Sequence, residues 1–180
     1  MRVAPISPFK VGNNGAYLAV RSISAQGSCG VHGYPCKHPG VDVVGRAGAV
    51  VRAPEDGMVV FAADGSLSPF VGYGPWLVIV RGFESGKFHL LAHLDPADRQ
   101  RAPIGLRMSS GQPVGVTSAA NHTHWELRKK MVPDFAHGET NFTNNDDPIA
   151  WMKGSSLLLP LILAGGGLIL LKLWTDRFHR

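Results

Sequence analysis

Short apolar runs rich in β-branched residues alternate with turn-forming residues through the middle of the chain. The runs fall at residues 41–44, 49–53, 57–62, 76–80, 87–93 and 122–128, each of strand length, and residues 95–101 predict a short helical turn. Pro54-Glu55-Asp56-Gly57 predicts a tight turn and a hairpin between Val50 and Val60, because proline presets its φ and glycine accepts a positive φ. Residues 1–36 predict loops with one edge strand at 16–20. The pattern predicts one mainly β domain built from antiparallel strands.

The longest apolar stretch lies near the C-terminus. Residues 157–171 carry no charge and consist of Leu, Ile, Ala and Gly with one Pro. Residues 155–174 are long enough to cross a hydrocarbon core of ~30 Å as a helix, and Trp151 and Trp174 flank the stretch as interfacial residues would. The sequence predicts a transmembrane helix at 155–174 and a short basic tail at 175–180. A buried C-terminal helix is the alternative, but such a helix usually keeps a polar face.

Composition narrows the class of protein. Of the 180 residues, 44% are hydrophobic and 17% are charged, and 22 Gly with 13 Pro indicate many turns. These values argue against a disordered chain and a helical bundle. Residues 151–180 hold four basic residues and one acidic residue within a total net charge of +5, which suits anionic lipid head groups. The run Arg128-Lys129-Lys130 is typical of a solvated strand end, so no nucleic-acid partner is predicted.

Two groups of polar residues have the spacing of metal ligands. His38 and Asp42 are four residues apart, and His122 and His124 are two apart, so along extended chain each pair projects from one face. Imidazole nitrogens and carboxylate oxygens are ligands of zinc, and three protein ligands with an open fourth position describe a catalytic zinc site. His38, Asp42 and one histidine of the second pair would supply three ligands.

These residues belong to a longer series of motifs in fixed order. The series comprises His38-Pro39-Gly40-Val41-Asp42-Val43, Pro54-Glu55-Asp56-Gly57-Met58-Val59, Gly72-Tyr73-Gly74, Leu91-Ala92-His93-Leu94, Ser110-Gly111-Gln112-Pro113-Val114-Gly115, His122-Thr123-His124-Trp125-Glu126 and Asp147-Pro148-Ile149. From His38 to Trp151 the chain resembles the lysostaphin-like, or LytM-type, zinc endopeptidases of peptidoglycan, known as the M23 family. The body of the domain is therefore placed at 37–150, after the N-terminal region at 1–36.

The resemblance implies an antiparallel-sheet peptidase domain with a substrate groove, walled by loops at 64–74 and 128–145. It implies His38, Asp42 and His124 as ligands of one Zn²⁺ ion. His122 is implied as the general base and His93 as the group that stabilises the oxyanion, although these two roles could be exchanged.

The implied activity is hydrolysis of peptide cross-links in bacterial peptidoglycan. Cleavage between D-alanine and diaminopimelate is the commoner choice in the family outside glycine-bridged walls. The alternative is a non-catalytic cell-wall-binding or assembly module. Such relatives typically lose metal ligands, whereas this sequence retains His38, Asp42 and His124.

Some residues near these motifs have open roles. His89 shares strand parity with His93 and could face the groove, in a structural or substrate-contacting role. Glu126 follows His124 by two residues and could hydrogen-bond a ligand imidazole, or be a solvated carboxylate. Cys29 and Cys36 are predicted to form a disulfide if the domain works in an oxidising compartment. Alternatively, the two cysteines could form a second zinc site with His32, or they could remain free thiols.

The predicted membrane topology raises a conflict. Residues 1–20 lack the apolar core of a signal peptide, yet the basic residues after the predicted helix would place the C-terminus inside and the main domain outside. One hypothesis resolves this conflict: the protein is a virion component of a membrane-containing bacteriophage. It would be anchored in the virion membrane beside other membrane or capsid proteins, and it would meet peptidoglycan during entry. A bacterial envelope hydrolase inserted by an unusual route is the alternative.

Overall fold

The computed structural model describes residues 1–13, 15–21, 36–67, 70, 72–131 and 144–154. Within them lie eleven strands, a 3-10 helix at Pro96–Arg101 and an α-helix, α1, at Pro148–Gly154. The strands are β1 (Val20–Arg21), β2 (Cys36–Lys37), β3 (Val41–Val44), β4 (Val50–Arg52), β5 (Gly57–Gly65), β6 (Gly74–Gly82), β7 (Phe88–Ala92), β8 (Arg107–Met108), β9 (Pro113–Val116), β10 (His122–Arg128) and β11 (Asn145–Asp146).

Most of these strands form one antiparallel sheet. Its order is β11-β10-β7-β6-β5-β8, and β3 also pairs with β10. Strand β10 therefore has β7 on one side, and on the other side β3 followed by β11. Two further pairs, β1-β2 and β4-β9, complete the strands of the described residues. The prediction of a mainly β, antiparallel fold is confirmed.

The main sheet is buried on both faces. Along β6, Val78 and Val80 belong to one apolar cluster, whereas Leu77 and Ile79 belong to another. The first cluster includes Trp125 and is the larger of the two. This arrangement explains why β6 reads as a continuous apolar run in the sequence instead of an alternating one.

Strand β10 distributes its residues between these two faces. Trp125 and Leu127 pack into the larger cluster. His124, Glu126 and Arg128 pair with Ala92, Leu90 and Phe88 of β7, and thus share the opposite face with them, because alternate residues of a strand point to opposite sides. His124, Glu126 and Arg128 thereby lie together on one side of the sheet.

The predicted helical turn at 95–101 is confirmed as the 3-10 helix Pro96–Arg101. The side chain of Asp95 accepts a hydrogen bond of 2.9 Å from the backbone N–H of Ala97. Pro96 occupies the first position, where no backbone N–H is needed. The cap and the proline explain why the helix begins at this residue.

The predicted hairpin between Val50 and Val60 is wrong. Val50 pairs with Val116 of β9, while β5 pairs with β6 and β8. The turn at residues 54–57 carries the chain from the β4–β9 pair to the main sheet, and Glu55 within this turn is buried and bonds to His89 of β7. The turn signal was correct, but its local chemistry does not specify which strand pairs with the residues on either side.

The predicted strand at 16–20 is wrong for most of its length. The chain becomes a strand only at Val20–Arg21. Leu18 has a φ of 59°, and the N–H of Ala19 donates to the carbonyl of Ala16 at 3.1 Å, so this segment turns. The Tyr17 hydroxyl donates to the backbone carbonyl of Asn145 at 2.9 Å, which fixes the turn against β11.

Several predictions concern residues outside the described ranges. They are the transmembrane helix at 155–174, the basic tail at 175–180, the pairing of Cys29 with Cys36, and most of the groove wall at 128–145. In the portion that the structure describes, none of the helices has the length and apolar character needed to span a bilayer.

His89 has a structural role on the core side of the sheet. It is fully buried, its Nε2 lies 2.7 Å from Oε1 of Glu55, and the indole N–H of Trp125 donates to its Nδ1 at 3.2 Å. The expectation that His89 could share a groove face with His93 is wrong. Strand β7 ends at Ala92, and His93 takes a φ of 59°, so strand alternation does not reach His93.

The contacts of His89 determine its protonation. Because Nδ1 accepts a hydrogen bond from Trp125, the imidazole is neutral and donates from Nε2 to Glu55. Burial lowers the pKa of His89, although the Glu55 carboxylate acts in the opposite direction. Burial opposes ionisation of Glu55, but hydrogen bonds from His89 and Ser85 hold its pKa below the ordinary value.

Both shifts make the fold less stable in acid. A depressed pKa means that the unfolded chain takes up protons first, so the free energy of unfolding falls as pH drops below the ordinary values of ~6.5 for histidine and ~4.3 for glutamate. Between pH 7 and 5 we expect the wild type to lose stability more steeply than His89→Gln, by up to about 1.4 kcal/mol per pH unit. Urea unfolding at each pH measures both slopes, and equal slopes would contradict the neutral assignment of His89.

Candidate metal centre

His38, Asp42 and His124 converge at the end of the sheet where β3 pairs with β10. Nε2 of His38 lies 2.8 Å from Nδ1 of His124. Oδ1 of Asp42 lies 2.9 Å from Nδ1 of His124 and 3.2 Å from Nε2 of His38. The strand register places Asp42 directly opposite His124. Among the described residues, these three form the one group of His, Cys, Asp and Glu side chains whose geometry could hold a metal ion.

Gly40 allows the two ligand-bearing segments to approach closely. A Cβ atom at this position would lie 2.4 Å from the carbonyl oxygen of Trp125 and 2.8 Å from Cγ of Glu126. Any larger residue would push the chain between His38 and Asp42 away from β10. The glycine of the His-Pro-Gly-Val-Asp motif therefore sets the distance between the first two candidate ligands and the third.

Hydrogen bonds fix which nitrogen of each histidine faces the centre. Nδ1 of His38 lies 3.2 Å from the carbonyl oxygen of Ala16, which can only accept, so Nδ1 carries the proton and Nε2 offers its lone pair. Nε2 of His124 lies 2.8 Å from Oε1 of Glu126, so Nε2 carries the proton there and Nδ1 faces inward. Two imidazole lone pairs and a carboxylate oxygen thus meet, and this donor set fits zinc.

The electrostatics also favour a cation. Asp42 is partly buried, which opposes ionisation, but hydrogen bonds with His124 and His38 hold its pKa far below the ordinary value. Burial alone would lower the pKa of His124, yet Asp42 and Glu126 raise it to about 9. The two carboxylates therefore favour positive charge at Nδ1 of His124, and a bound metal takes the place of the proton there.

His122 lies at the edge of the same centre. Its Nδ1 is 2.8 Å from the carbonyl oxygen of Ala120, so that nitrogen carries the proton and Nε2 is left as an acceptor. Nε2 lies 3.8 Å from Oδ1 of Asp42. The side chain is partly exposed, so its basic nitrogen is positioned beside the three candidate ligands and remains accessible to water.

His93 lies next to His122, with ring centroids 4.6 Å apart. It follows β7 in a left-handed conformation that costs a non-glycine residue free energy. Two backbone hydrogen bonds stabilise this conformation. The N–H of His93 donates to the carbonyl of Tyr73 at 3.0 Å, and the carbonyl of His93 accepts from the N–H of Ser118 at 2.9 Å. Gly74 makes room for the ring, since a Cβ there would lie 2.4 Å from Nδ1 of His93. The structure thus brings all five predicted site residues together.

Three buried residues beside the site had no predicted role. Tyr73, Arg128 and Asn145 all donate hydrogen bonds to Glu126. The expectation that Arg128 belongs to a solvated strand end is wrong, because Arg128 is fully buried against Glu126. A signal for this was present in the sequence: Glu126 and Arg128 have the same strand parity as His124 and opposite charges.

The sequence model of peptidase family M23 matches residues 36–135. No curated protein matches the chain by sequence.

Solved structures share the fold. The catalytic domain of the antimicrobial peptidase lysostaphin from Staphylococcus simulans is 22% identical, with a TM-score of 0.58, over 85% of this chain and 99% of that domain. The solution structure of lysostaphin is 23% identical, with a TM-score of 0.55, over 88% of this chain and 54% of that one, so this chain spans about half its length. The catalytic domain of a variant of the prophage-encoded M23 protein EnpA from Enterococcus faecalis is 21% identical, with a TM-score of 0.52, over 81% of this chain and 95% of that one.

The family match covers more than half of the chain and includes all five converging residues. The chain belongs to peptidase family M23.

Proposed function

We propose that the protein is a zinc metalloendopeptidase that hydrolyses peptide cross-links of bacterial peptidoglycan. One observation carries the proposal: inward-facing lone pairs of His38 and His124 meet the Asp42 carboxylate, and two further histidines lie beside them. Membership of a family of zinc-dependent peptidoglycan hydrolases supports the same substrate class.

His38 Nε2, His124 Nδ1 and Asp42 Oδ1 would hold the ion. When bound, zinc supplies Lewis-acid polarisation of the scissile carbonyl and a water of lowered pKa. The residues of the chain orient the ligands and move protons. Hydrogen bonds to Ala16 and Glu126 fix which nitrogen of His38 and of His124 faces the ion, and neighbouring histidines supply the groups that move protons.

His122 is the proposed general base. Its Nδ1–H is engaged by the carbonyl of Ala120, so Nε2 is the nitrogen that takes a proton from the attacking water and returns it to the leaving amine. His93 is the proposed partner, whose ring donates a hydrogen bond to the carbonyl oxygen as negative charge develops there. The geometry does not require this division, and the two histidines could exchange roles.

A non-catalytic wall-binding module is the weaker explanation. Binding a cell-wall polymer does not require two histidines with fixed tautomers beside the partly buried carboxylate of Asp42. Nor does it require the strained backbone of His93, since strain of this kind collects at functional sites. These features favour an enzyme.

The proposed location is a membrane, through residues 155–174. The uncharged stretch 157–171 with its basic flank supports this. We favour the virion membrane of a bacteriophage, with neighbouring membrane or capsid proteins, over a bacterial envelope. Detection of the protein in purified particles would support the virion location, and its absence from them would contradict it.

The test of the activity is digestion of purified peptidoglycan, followed by mass spectrometry of the soluble products. The zinc-loaded protein is expected to release fragments with new amino termini, whose identity also reports the bond that is cut. Chelation is expected to stop the release, and added Zn²⁺ to restore it. If the zinc-loaded protein releases no new amino termini from walls with different cross-bridges, the proposed activity is wrong.

A further inference from the structure

We propose that Glu126 is a positioning residue that presents Nδ1 of His124 to the metal, and that Asn145 joins this carboxylate to the segment carrying the other two ligands. The inference rests on the zinc site of the proposed function. It deepens the part that Glu126 plays in that site, and it adds Asn145, to which the proposed function gives no role. It does not depend on which substrate is cut.

Glu126 is fully buried, and both of its oxygens are occupied. Oε1 accepts from the Tyr73 hydroxyl at 2.6 Å and from Nε2 of His124 at 2.8 Å. Oε2 accepts from Nη1 of Arg128 at 2.6 Å and from Nδ2 of Asn145 at 3.0 Å. A buried charge is costly unless it is paired and hydrogen-bonded, and here the Arg128 guanidinium balances the carboxylate.

This arrangement selects one tautomer of His124. Oε1 of the Glu126 carboxylate can only accept hydrogen bonds, and it already accepts one from the Tyr73 hydroxyl. Nε2 of His124, which faces Oε1, must therefore carry the proton and donate it. Nδ1 is then the nitrogen that faces Asp42 and His38, where a bound metal would replace its proton. In the opposite tautomer, Nε2 would face a buried carboxylate without a proton between them, and Nδ1–H could not bind a metal. Carboxylate partners of this kind fix ring orientation and raise ligand basicity in metalloproteins.

Asn145 extends the arrangement to the other ligands. Its Nδ2 donates both to Oε2 of Glu126 and to the carbonyl oxygen of Pro39 at 2.8 Å. Pro39 follows His38 directly, and Gly40 beside it packs against Cγ of Glu126. One amide group therefore ties the His38 segment to the carboxylate behind His124, so both sides of the metal site share one support.

Stability alone is a poor reason for such a cluster. A buried ion pair is often no better for folding than apolar residues of the same volume, and the neighbouring apolar positions of the sheet show that such packing is available here. The cluster contacts the imidazole of His124 on the side away from the metal site. Through Asn145 it also contacts the carbonyl of Pro39, next to His38. This placement is that of a support for the metal site.

The test is the zinc affinity of the full chain, measured by competition with a chromophoric chelator. Glu126→Gln keeps the shape of the side chain but places an amide N–H₂ among four donors. We expect zinc to bind about 10–100-fold more weakly, and Asn145→Ala to show about a tenfold loss, the lower end of the same range. The visible spectrum of the Co²⁺-loaded variants is expected to change in band position, which a general loss of stability would not cause.

Glu55→Gln is the matched control. Glu55 is also a buried carboxylate that accepts from Nε2 of a neutral histidine, but it lies on the core side of the sheet. We expect this variant to lower the melting temperature and to leave the zinc affinity within about twofold of the wild type. Equal zinc affinities of the wild type and Glu126→Gln, or equal losses in Glu126→Gln and Glu55→Gln, would overturn the proposal.

A measurement on the zinc-loaded wild type covers the case in which Glu126→Gln does not fold. Long-range ¹H–¹⁵N spectra are expected to show His124 protonated at Nε2 and metal-bound at Nδ1, and the reverse pattern would overturn the proposal. Failure of this proposal can be distinguished from failure of the proposed function, because zinc affinity and the His124 tautomer are measured without substrate. A protein that binds zinc through Nδ1 but cuts no peptidoglycan would leave the positioning role intact.

Discussion

Replacing His124 with alanine is expected to eliminate peptidoglycan hydrolysis and to weaken zinc binding by more than about 100-fold. Losing a residue that only hydrogen-bonds a metal ligand costs at most about that much. His124 supplies a donor atom that lies close to both of the others, 2.8 Å from Nε2 of His38 and 2.9 Å from Oδ1 of Asp42. Its removal leaves two ligands instead of three, and the buried Glu126 carboxylate loses one donor. Because enzymes accelerate such reactions by at least about 10⁶-fold, the rate without a metal site should be that of the blank.

Two measurements check the two expected losses. Equilibrium dialysis reports zinc content, and mass spectrometry of digested peptidoglycan reports new amino termini. His179→Ala removes a histidine of the C-terminal tail, outside the described residues, and should retain both zinc and activity. A His124→Ala protein that folds and still releases new amino termini at the wild-type rate would rule out His124 as a ligand.

The sequence predicted the site better than it predicted the strand pairing. Strands β3 and β10 lie where the pattern placed them, at 41–44 and 122–128. Their polar residues sit at alternating positions among apolar ones, so the faces follow from chain geometry alone. Given two such strands, Asp42 and His124 meet once β3 and β10 are neighbours. His38 precedes β3, and its place beside them was implied by the resemblance to the family.

Strand pairing and buried polar contacts were harder to predict, because they depend on residues far apart in the sequence. Val50 pairs with Val116 instead of its nearby turn partner, and β9 contains a proline and a glycine that conceal it as a strand. Arg128 was predicted to lie at a solvated strand end because two lysines follow it, yet its charge is balanced by Glu126 on the same face. Only a three-dimensional structure shows that Tyr73 and Asn145 complete that cluster.

Replacing His122 with alanine is expected to separate catalysis from metal binding. His122 lies 3.8 Å from Asp42 and contributes none of the three converging donor atoms, so zinc affinity should stay within about threefold of the wild type, well short of the 10–100-fold loss expected for an outer partner. The turnover number should fall about 10²–10⁴-fold, which is the usual contribution of a general base. A synthetic cross-bridge peptide identified from the digestion products allows kcat and KM to be measured separately, and the loss should appear in kcat.

His93→Ala is the comparison that assigns the two roles. Loss of the general base should displace the ascending limb of the pH–kcat profile to higher pH, because a zinc-bound water would then have to lose its proton without an imidazole to accept it. Loss of a hydrogen-bond donor to the developing oxyanion should lower kcat by about 10²–10³-fold and leave the ascending limb in place. If His93→Ala displaces the limb and His122→Ala does not, the roles are exchanged. If both variants retain wild-type kcat on a peptide that the zinc-loaded wild type cuts, neither histidine takes part in the reaction.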